Sequence, residues 1–235
     1  MQELLADWFA DNGRELPWRT TRDPYAILVS EVMLQQTQVE RVIPRYLRWL
    51  ERWPSPEALA AAPAGDAIRE WQGLGYNRRA ISLHRAAQHV AAHGWPADLT
   101  ELPGVGEYTA AAVRNFAFGE PVLPLDVNVR RVLERTAAEF GPELAGALMD
   151  LGATLCLARV PRCSACPLAG ECPSRGSRYE PARKQGPFAG SFRQRRATAL
   201  RAVAAGLDPR DEEAVASLAR DGLVVLAEGA VSLPA

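Results

Sequence analysis

Cysteine is the residue type whose placement most restricts the chemistry of this chain. The 235 residues hold four, Cys156, Cys163, Cys166 and Cys172, with six, two and five residues between them. A cluster this tight in an otherwise cysteine-free polypeptide is a ligand set, because one short loop can bring four thiolates round a single inorganic centre. Structural zinc sites usually pair two short Cys-x-x-Cys knuckles. Only Cys163 and Cys166 form one here, and the wider spacing leans toward the larger four-cysteine cage of an iron–sulfur cluster. Spacing alone leaves zinc open. Disulfides are disfavoured: Glu3, Asp7 and Asp11 stand where a basic, apolar signal would, so a cytoplasmic location is expected.

A second place fit for chemistry lies upstream. Leu102-Pro103-Gly104-Val105-Gly106 precedes the apolar stretch Tyr108–Phe118, which is a helix-hairpin-helix signature. Gly104 and Gly106 let the backbone turn tightly and approach a ligand, and the following helix start offers unpaired N–H groups to an anion. A DNA phosphate fits there and gains position without sequence readout. A Gly-x-Gly turn is also an ordinary connection between helices. Twenty residues after Gly106, Asp126 stands where a new helix should begin, as an N-cap or as a carboxylate with a task.

Charge divides unevenly along the chain. Residues 1–155 carry 15 Arg against 20 acids, residues 156–201 carry 10 Arg or Lys against 2, and residues 202–235 carry 2 against 6, within an overall net charge of −1. The basic block surrounds the cysteines, with Arg159 and Arg162 between the first two, and suits a phosphate-binding surface as well as a solvated loop.

The elements that must position these residues read as helices. Apolar residues recur at helical spacing in Leu4–Phe9, Tyr25–Leu34, Val42–Leu50 and Ile81–Val90, with Pro and Gly between them. No sheet is expected before the C-terminal end. There, Arg193–Ala204 and Glu212–Arg220 look helical, followed by short strands at Leu223–Leu226 and Val231–Leu233 around Glu228-Gly229. That order suits a small winged-helix-like module over 190–235, joined through a linker at 177–189 to a core at 1–176 whose cysteine loop is 156–172. No apolar run approaches the length of a membrane span, so no membrane partner is expected.

The hairpin, Asp126 and the four-cysteine loop, in this order, resemble the endonuclease III superfamily of DNA glycosylases. Leu16-Pro17-Trp18-Arg19, Asp23-Pro24-Tyr25, Ser30-Glu31-Val32-Met33-Leu34-Gln35-Gln36-Thr37-Gln38 and Gly73-Leu74-Gly75-Tyr76 look like the matching stretches of its MutY family, which acts on adenine in mispairs with 8-oxoguanine. With Leu148-Met149-Asp150-Leu151-Gly152-Ala153, the resemblance covers roughly residues 3–175.

The resemblance implies an all-α, two-lobed helix-hairpin-helix glycosylase that binds double-stranded DNA between its lobes as a monomer. It implies a [4Fe–4S] cluster on the four cysteines. A base inside a duplex is inaccessible, so its nucleotide must be flipped out while the helix is held open. Gln36 and Tyr76 match the family's wedge residues, and Gly104 and Gly106 its DNA-binding hairpin. Glu31 matches the proton donor to the leaving base. An acid that keeps its proton near neutrality needs desolvation, and Val29, Val32 and Leu34 are apolar neighbours that supply it. Base departure leaves an oxocarbenium-like sugar, which a carboxylate stabilises or traps. Asp126 matches that group, and Asn128 the residue that orients it. Lyases of the superfamily have lysine after Glu107, where this chain has Tyr108. Its one lysine is Lys184, so a monofunctional enzyme is expected.

Three departures bear on the substrate. The adenine-reading Gln four residues before Asp150 is replaced by Gly146, the stretch from Arg135 to Leu148 is short by a few tens of residues, and the family's 8-oxoguanine-recognising C-terminal domain is replaced by residues 190–235. The readings weighed are therefore adenine removal, removal of uracil, thymine or another damaged base on the same scaffold, and a DNA-binding iron–sulfur protein without turnover. Arg193, Arg195, Arg196 and Arg201 are expected to add general duplex affinity. His84, His89 and His93 share a helical stretch, are read as exposed or helix-terminal, and are assigned no role.

Overall fold

The computed structural model describes residues 1–178, 186–227 and 230–235. The turn expected at Glu228-Gly229 and residues 179–185 of the expected linker lie outside the described residues. The chain forms two compact units, one of Met1–Pro24 with Glu107–Lys184 and one of Tyr25–Gly106 with Gln185–Ala235.

In the first unit, α9 (Ala145–Thr154) packs with both α1 (Gln2–Asn12) and α8 (Val127–Thr136), and α7 (Glu107–Phe116) opens the returning chain. Leu5, Val129, Val132, Leu148 and Leu151 meet in one apolar core with Leu168 from the cysteine loop. The recurrence of apolar residues every three or four positions in α8 and α9 turns one stripe of each helix inward. Gly152 lets the two approach closely, since a Cβ there would stand 2.8 Å from Asn128 Cβ.

The second unit holds α2 (Pro24–Leu34), α3 (Val39–Arg52), α4 (Pro56–Ala60), α5 (Ala64–Glu70) and α6 (Arg78–His93). Val42, Tyr46 and Trp49 line the buried face of α3. Trp49 meets Trp53 and Trp71 edge-on at 4.7 and 5.5 Å, and its Nε1 donates to the Tyr25 hydroxyl at 3.1 Å. The helix α2 is buried almost all round, from Tyr25 through Met33, which is why its sequence runs apolar without a strong stripe. His84 corrects its reading as an exposed histidine: it is 5% exposed, its Nε2 2.8 Å from the Ala62 carbonyl oxygen.

The C-terminal segment supplies α10 (Phe192–Ala204), α11 (Glu212–Arg220) and an antiparallel hairpin of β1 (Val225–Ala227) and β2 (Ala230–Ser232), paired Leu226 to Val231. Among the described residues this hairpin is the only sheet. The segment packs into the second unit. Pro234 O accepts from Gly65 N at 2.8 Å, and Arg78 Nε lies 3.6 Å from Asp221, which also pairs with Arg196. Thus the fold is all-α in two lobes, as the resemblance implied, with a small appendage whose helix–helix–hairpin order follows the sequence pattern.

Candidate functional site

In the first unit Asp126 is the N-cap of α8, its Oδ1 accepting from Val129 N at 2.6 Å. The cap reading is therefore realised, yet it uses only one oxygen. Oδ2 accepts from Asn128 Nδ2 at 2.9 Å, so the half-buried carboxylate is fixed at both ends. Asn128 is held in turn: its Oδ1 accepts from Arg131 Nη2 at 2.8 Å, and the same guanidinium donates to Gly152 O at 2.8 Å and Cys156 O at 2.7 Å. Asp126 thereby connects, through two side chains, to the first cysteine of the loop. Tyr108 stands half-buried in the first turn of α7, in the same unit.

Cys156, Cys163, Cys166 and Cys172 line one cavity with Val132, Leu151 and Leu168. Burial pushes the Cys166 thiol up, and the other three sulfurs add to it, which is the signature of four thiols converging. Donors face the sulfurs: Arg135 Nη1 is 3.3 Å from Cys156 Sγ and Gly176 N is 3.3 Å from Cys163 Sγ. The donor set is thus all-sulfur, in an apolar pocket, with cationic and amide groups around it. Among the described residues no three His, Cys, Asp or Glu side chains are arranged to hold a single ion. Four sulfurs round one cavity are a donor set that suits a thiolate-bound inorganic group.

Arg135 is 6% exposed and also donates to Leu157 O, Ala158 O and Ser177 O at 2.7–2.8 Å. This guanidinium ties both ends of the loop to α8. Arg159 and Arg162 are exposed on that loop, and the described residues give neither an ion pair. Sequence reasoning read neither Arg131 nor Arg135 as functional; their spacing of four on a helix with apolar Val132 between them was the available signal.

Gly146 sits against the α1 side chain Phe9, whose Cζ would lie 3.2 Å from an added Cβ, with Arg19 Nη2 at 4.0 Å. Arg19 and Arg14 both bind the fully buried Asp150 at 2.7 Å. Burial alone would raise that carboxyl, and the hydrogen bonds from Arg19 and Arg14 more than reverse it, holding Asp150 below the usual range.

The second unit carries the other candidates. Glu31 is 5% exposed inside α2, surrounded along the helix by buried apolar residues. Gln36 and Tyr76 are exposed on two separate turns, and both have left-handed backbones, φ +60° and +47°. Gly104 has φ +82°, and a Cβ there would meet Ser82 Cβ at 2.6 Å, so the hairpin turn needs glycine. Gly106 faces open space, leaving its backbone accessible immediately before α7. The expected residues therefore fall into two sets, Asp126, Asn128, Tyr108 and the cysteines in one unit, Glu31, Gln36, Tyr76 and the two glycines in the other.

On the appendage, the expected cations are largely occupied. Arg195 pairs with Asp211 at 2.7 Å and Glu213 at 2.8 Å, and Arg196 pairs with Asp221. Arg193 donates to Gly186 O at 2.7 Å, and Arg201 Nε to Ala197 O at 3.3 Å. Pairing with nearby acids is the physical reason why basic residues counted along a sequence overstate a basic surface.

The helical fold, the hairpin and the cysteine loop together define a class, and residues 29–141 match the HhH-GPD superfamily base excision DNA repair protein family. The chain belongs to this superfamily. Within it the chain is MutY-like. An adenine DNA glycosylase of Mycobacterium tuberculosis (strain ATCC 25618 / H37Rv) is 42% identical, over 84% of this chain and 76% of its own length. The adenine DNA glycosylase of Homo sapiens is 36% identical over 73% of this chain and 38% of its own. Among solved structures, a thermostable thymine-DNA glycosylase superposes with a TM-score of 0.66 at 28% identity, covering 74% of this chain and 94% of its own. A trapped endonuclease III–DNA covalent intermediate shares the fold, with a TM-score of 0.63 at 24% identity over 74% of this chain and 92% of its own.

Proposed function

We infer that this protein is a monofunctional DNA glycosylase of base excision repair that removes adenine mispaired with 8-oxoguanine or G. The observation that carries the reading is the Asp126 carboxylate, fixed by Val129 N–H and by Asn128 with one helix N-terminus behind it. A preorganised anion of this kind stabilises the cationic sugar without having to reorganise as the base departs. Glu31, buried in α2, serves as the acid that protonates the leaving base, since adenine departs poorly as an anion. Gln36 and Tyr76 hold the opened duplex, Gly104 and Gly106 seat a phosphate, and Arg159 and Arg162 add further phosphate contacts. Double-stranded DNA is the partner and the protein acts as a monomer. Among the described residues no helix is long and apolar enough to cross a membrane.

Cys156, Cys163, Cys166 and Cys172 would hold a [4Fe–4S] cluster. Bound there, it would cross-link the loop and fix the register of its arginines. With Tyr108 in the lyase position, no Schiff base forms at that site, so the product is an intact strand with an abasic sugar.

A second reading, removal of thymine or uracil from mispairs, draws on Gly146, which leaves Phe9 and Arg19 in place of an amide reader. A site built to hydrogen-bond its substrate rejects analogues strongly, and losing the reader relaxes that. A panel of duplexes carrying A opposite 8-oxoguanine, A opposite G, T opposite G and U opposite G separates the two. Adenine release from the first two alone is the expected result. Release of thymine or uracil in its place would transfer the assignment to the second reading.

A further inference from the structure

Arg79 is 9% exposed in the first turn of α6, and its guanidinium serves two loops at once. Nη1 donates to Val32 O at 2.8 Å, Met33 O at 3.1 Å and Gln35 O at 2.5 Å, which are carbonyls at the C-terminal end of α2. Nη2 donates to Gly75 O at 2.9 Å, Leu74 O at 3.3 Å and Thr37 Oγ1 at 3.1 Å, and Nε to Tyr76 O at 3.3 Å. Thr37 Oγ1 also donates across to Leu74 O at 3.2 Å. The two loops so joined are the ones that present Gln36 and Tyr76.

Both exposed residues hold positive φ without being glycine. Such a backbone persists only where its surroundings over-determine it. Trp71 Nε1 donates to Gly75 O at 3.1 Å and Arg41 Nη2 to Gly73 O, while the Arg79 guanidinium bonds both loops at once. The last carbonyls of α2 have no partners inside the helix, and a positive group at that end is also favoured by the helix dipole. Planar guanidinium directs five donors outward in a fixed fork, which a lysine ammonium cannot reproduce. Burial pushes the Arg79 pKa down to about 10, which leaves it charged at neutral pH. Trp71 and Tyr76 present ring faces to it at 5.3 and 5.5 Å.

The geometry points to Arg79 as a positioning residue that clamps the Gln36 and Tyr76 loops into one preformed wedge, ready before DNA arrives. This rests on the reading of Gln36 and Tyr76 as the residues that hold the opened duplex. The cost of shaping both loops is met during folding and not at the moment of base flipping.

Hydrogen exchange on the free protein tests the clamp independently of DNA. In Arg79→Lys, the amides of Thr37 and Leu74 should exchange about tenfold faster or more, while that of Gly94 at the far end of α6 keeps its rate. Arg79→Met should show the same pattern more strongly. Unchanged exchange at Thr37 and Leu74, or equal acceleration at Gly94, would overturn the clamp. The functional half is read by comparing a duplex with a bubble in which the target adenine is already unpaired. Arg79→Lys should slow release from the duplex far more than from the bubble, and Gln36→Ala and Tyr76→Ala should share that bias. Equal losses on both substrates in Arg79→Lys would contradict positioning. Should Gln36→Ala and Tyr76→Ala lack the bias, the wedge reading itself fails, and with it the functional half, while selective exchange still supports the clamp.

Discussion

At the residue scale, the proposed mechanism divides the side chains into those that do chemistry and those that aim them. Glu31→Gln should abolish adenine release, because the amide cannot give a proton to the departing base; a uracil-releasing enzyme would lose far less, since uracil leaves as a more stable anion. Comparing the two releases in single-turnover assays checks this. For Tyr108 the expected outcome is little covalent complex with borohydride, and strand breakage only after alkali or heat. Strong trapping by the unaltered protein would show that another amine does lyase chemistry. That Asp126 would open a helix and that the four cysteines would gather in one short loop was legible from punctuation and spacing. Arg79, Arg131 and Arg135 were not, because a sequence presents arginine as a surface charge. Their burial depends on backbone carbonyls that only the folded loops bring together.

At the element scale, helical periodicity located α1, α2, α3, α6 and α7 to within a few residues, and the C-terminal helices and strands as well. The two left-handed turns were less legible, since Gln36 and Tyr76 are not residues that signal positive φ. Nor did spacing reveal that α8 and α9 meet through Gly152 and share Arg131. Removing that guanidinium with Arg131→Met leaves Asn128 Oδ1, Gly152 O and Cys156 O without this donor. The expected outcome is a loss of about 2 kcal/mol in stability and a fall in the rate of base release larger than the fall in duplex affinity. Asp150 gives a pH-dependent test. Its carboxyl is depressed in the folded state, so its stabilisation is present above the unfolded value near ~3.9 and disappears as pH falls through the folded value. Asp150→Asn should therefore cost about 3 kcal/mol at neutral pH, and the gap to the unaltered protein should close in strong acid. Urea melts across the pH range would read it.

At the scale of the whole molecule, the helical class and the order of elements followed from punctuation and periodicity. Charge distribution was misleading at the C-terminal end, where Arg195 and Arg196 face acids of the same segment. That segment is packed against α5 and α6 of the second unit, so its removal exposes apolar surface instead of merely trimming a cationic arm. Deleting residues 190–235 should lower the melting temperature, with the amides of α5 losing exchange protection first. The cysteine loop has its own test. Anaerobically prepared protein should be brown with stoichiometric iron and sulfide, and zinc without iron would contradict a [4Fe–4S] centre.

In the proposed mechanism the capped carboxylate of Asp126 carries base removal. Single-turnover release of adenine opposite 8-oxoguanine by the unaltered protein and by Asp126→Asn measures it, alongside duplex affinity for both. The amide can still accept from Val129 N and keep the cap, so the fold should survive while the charge is lost. The expected result is a fall in release of about 10³-fold or more with duplex affinity nearly unchanged. Release at the unaltered rate by Asp126→Asn would contradict the mechanism.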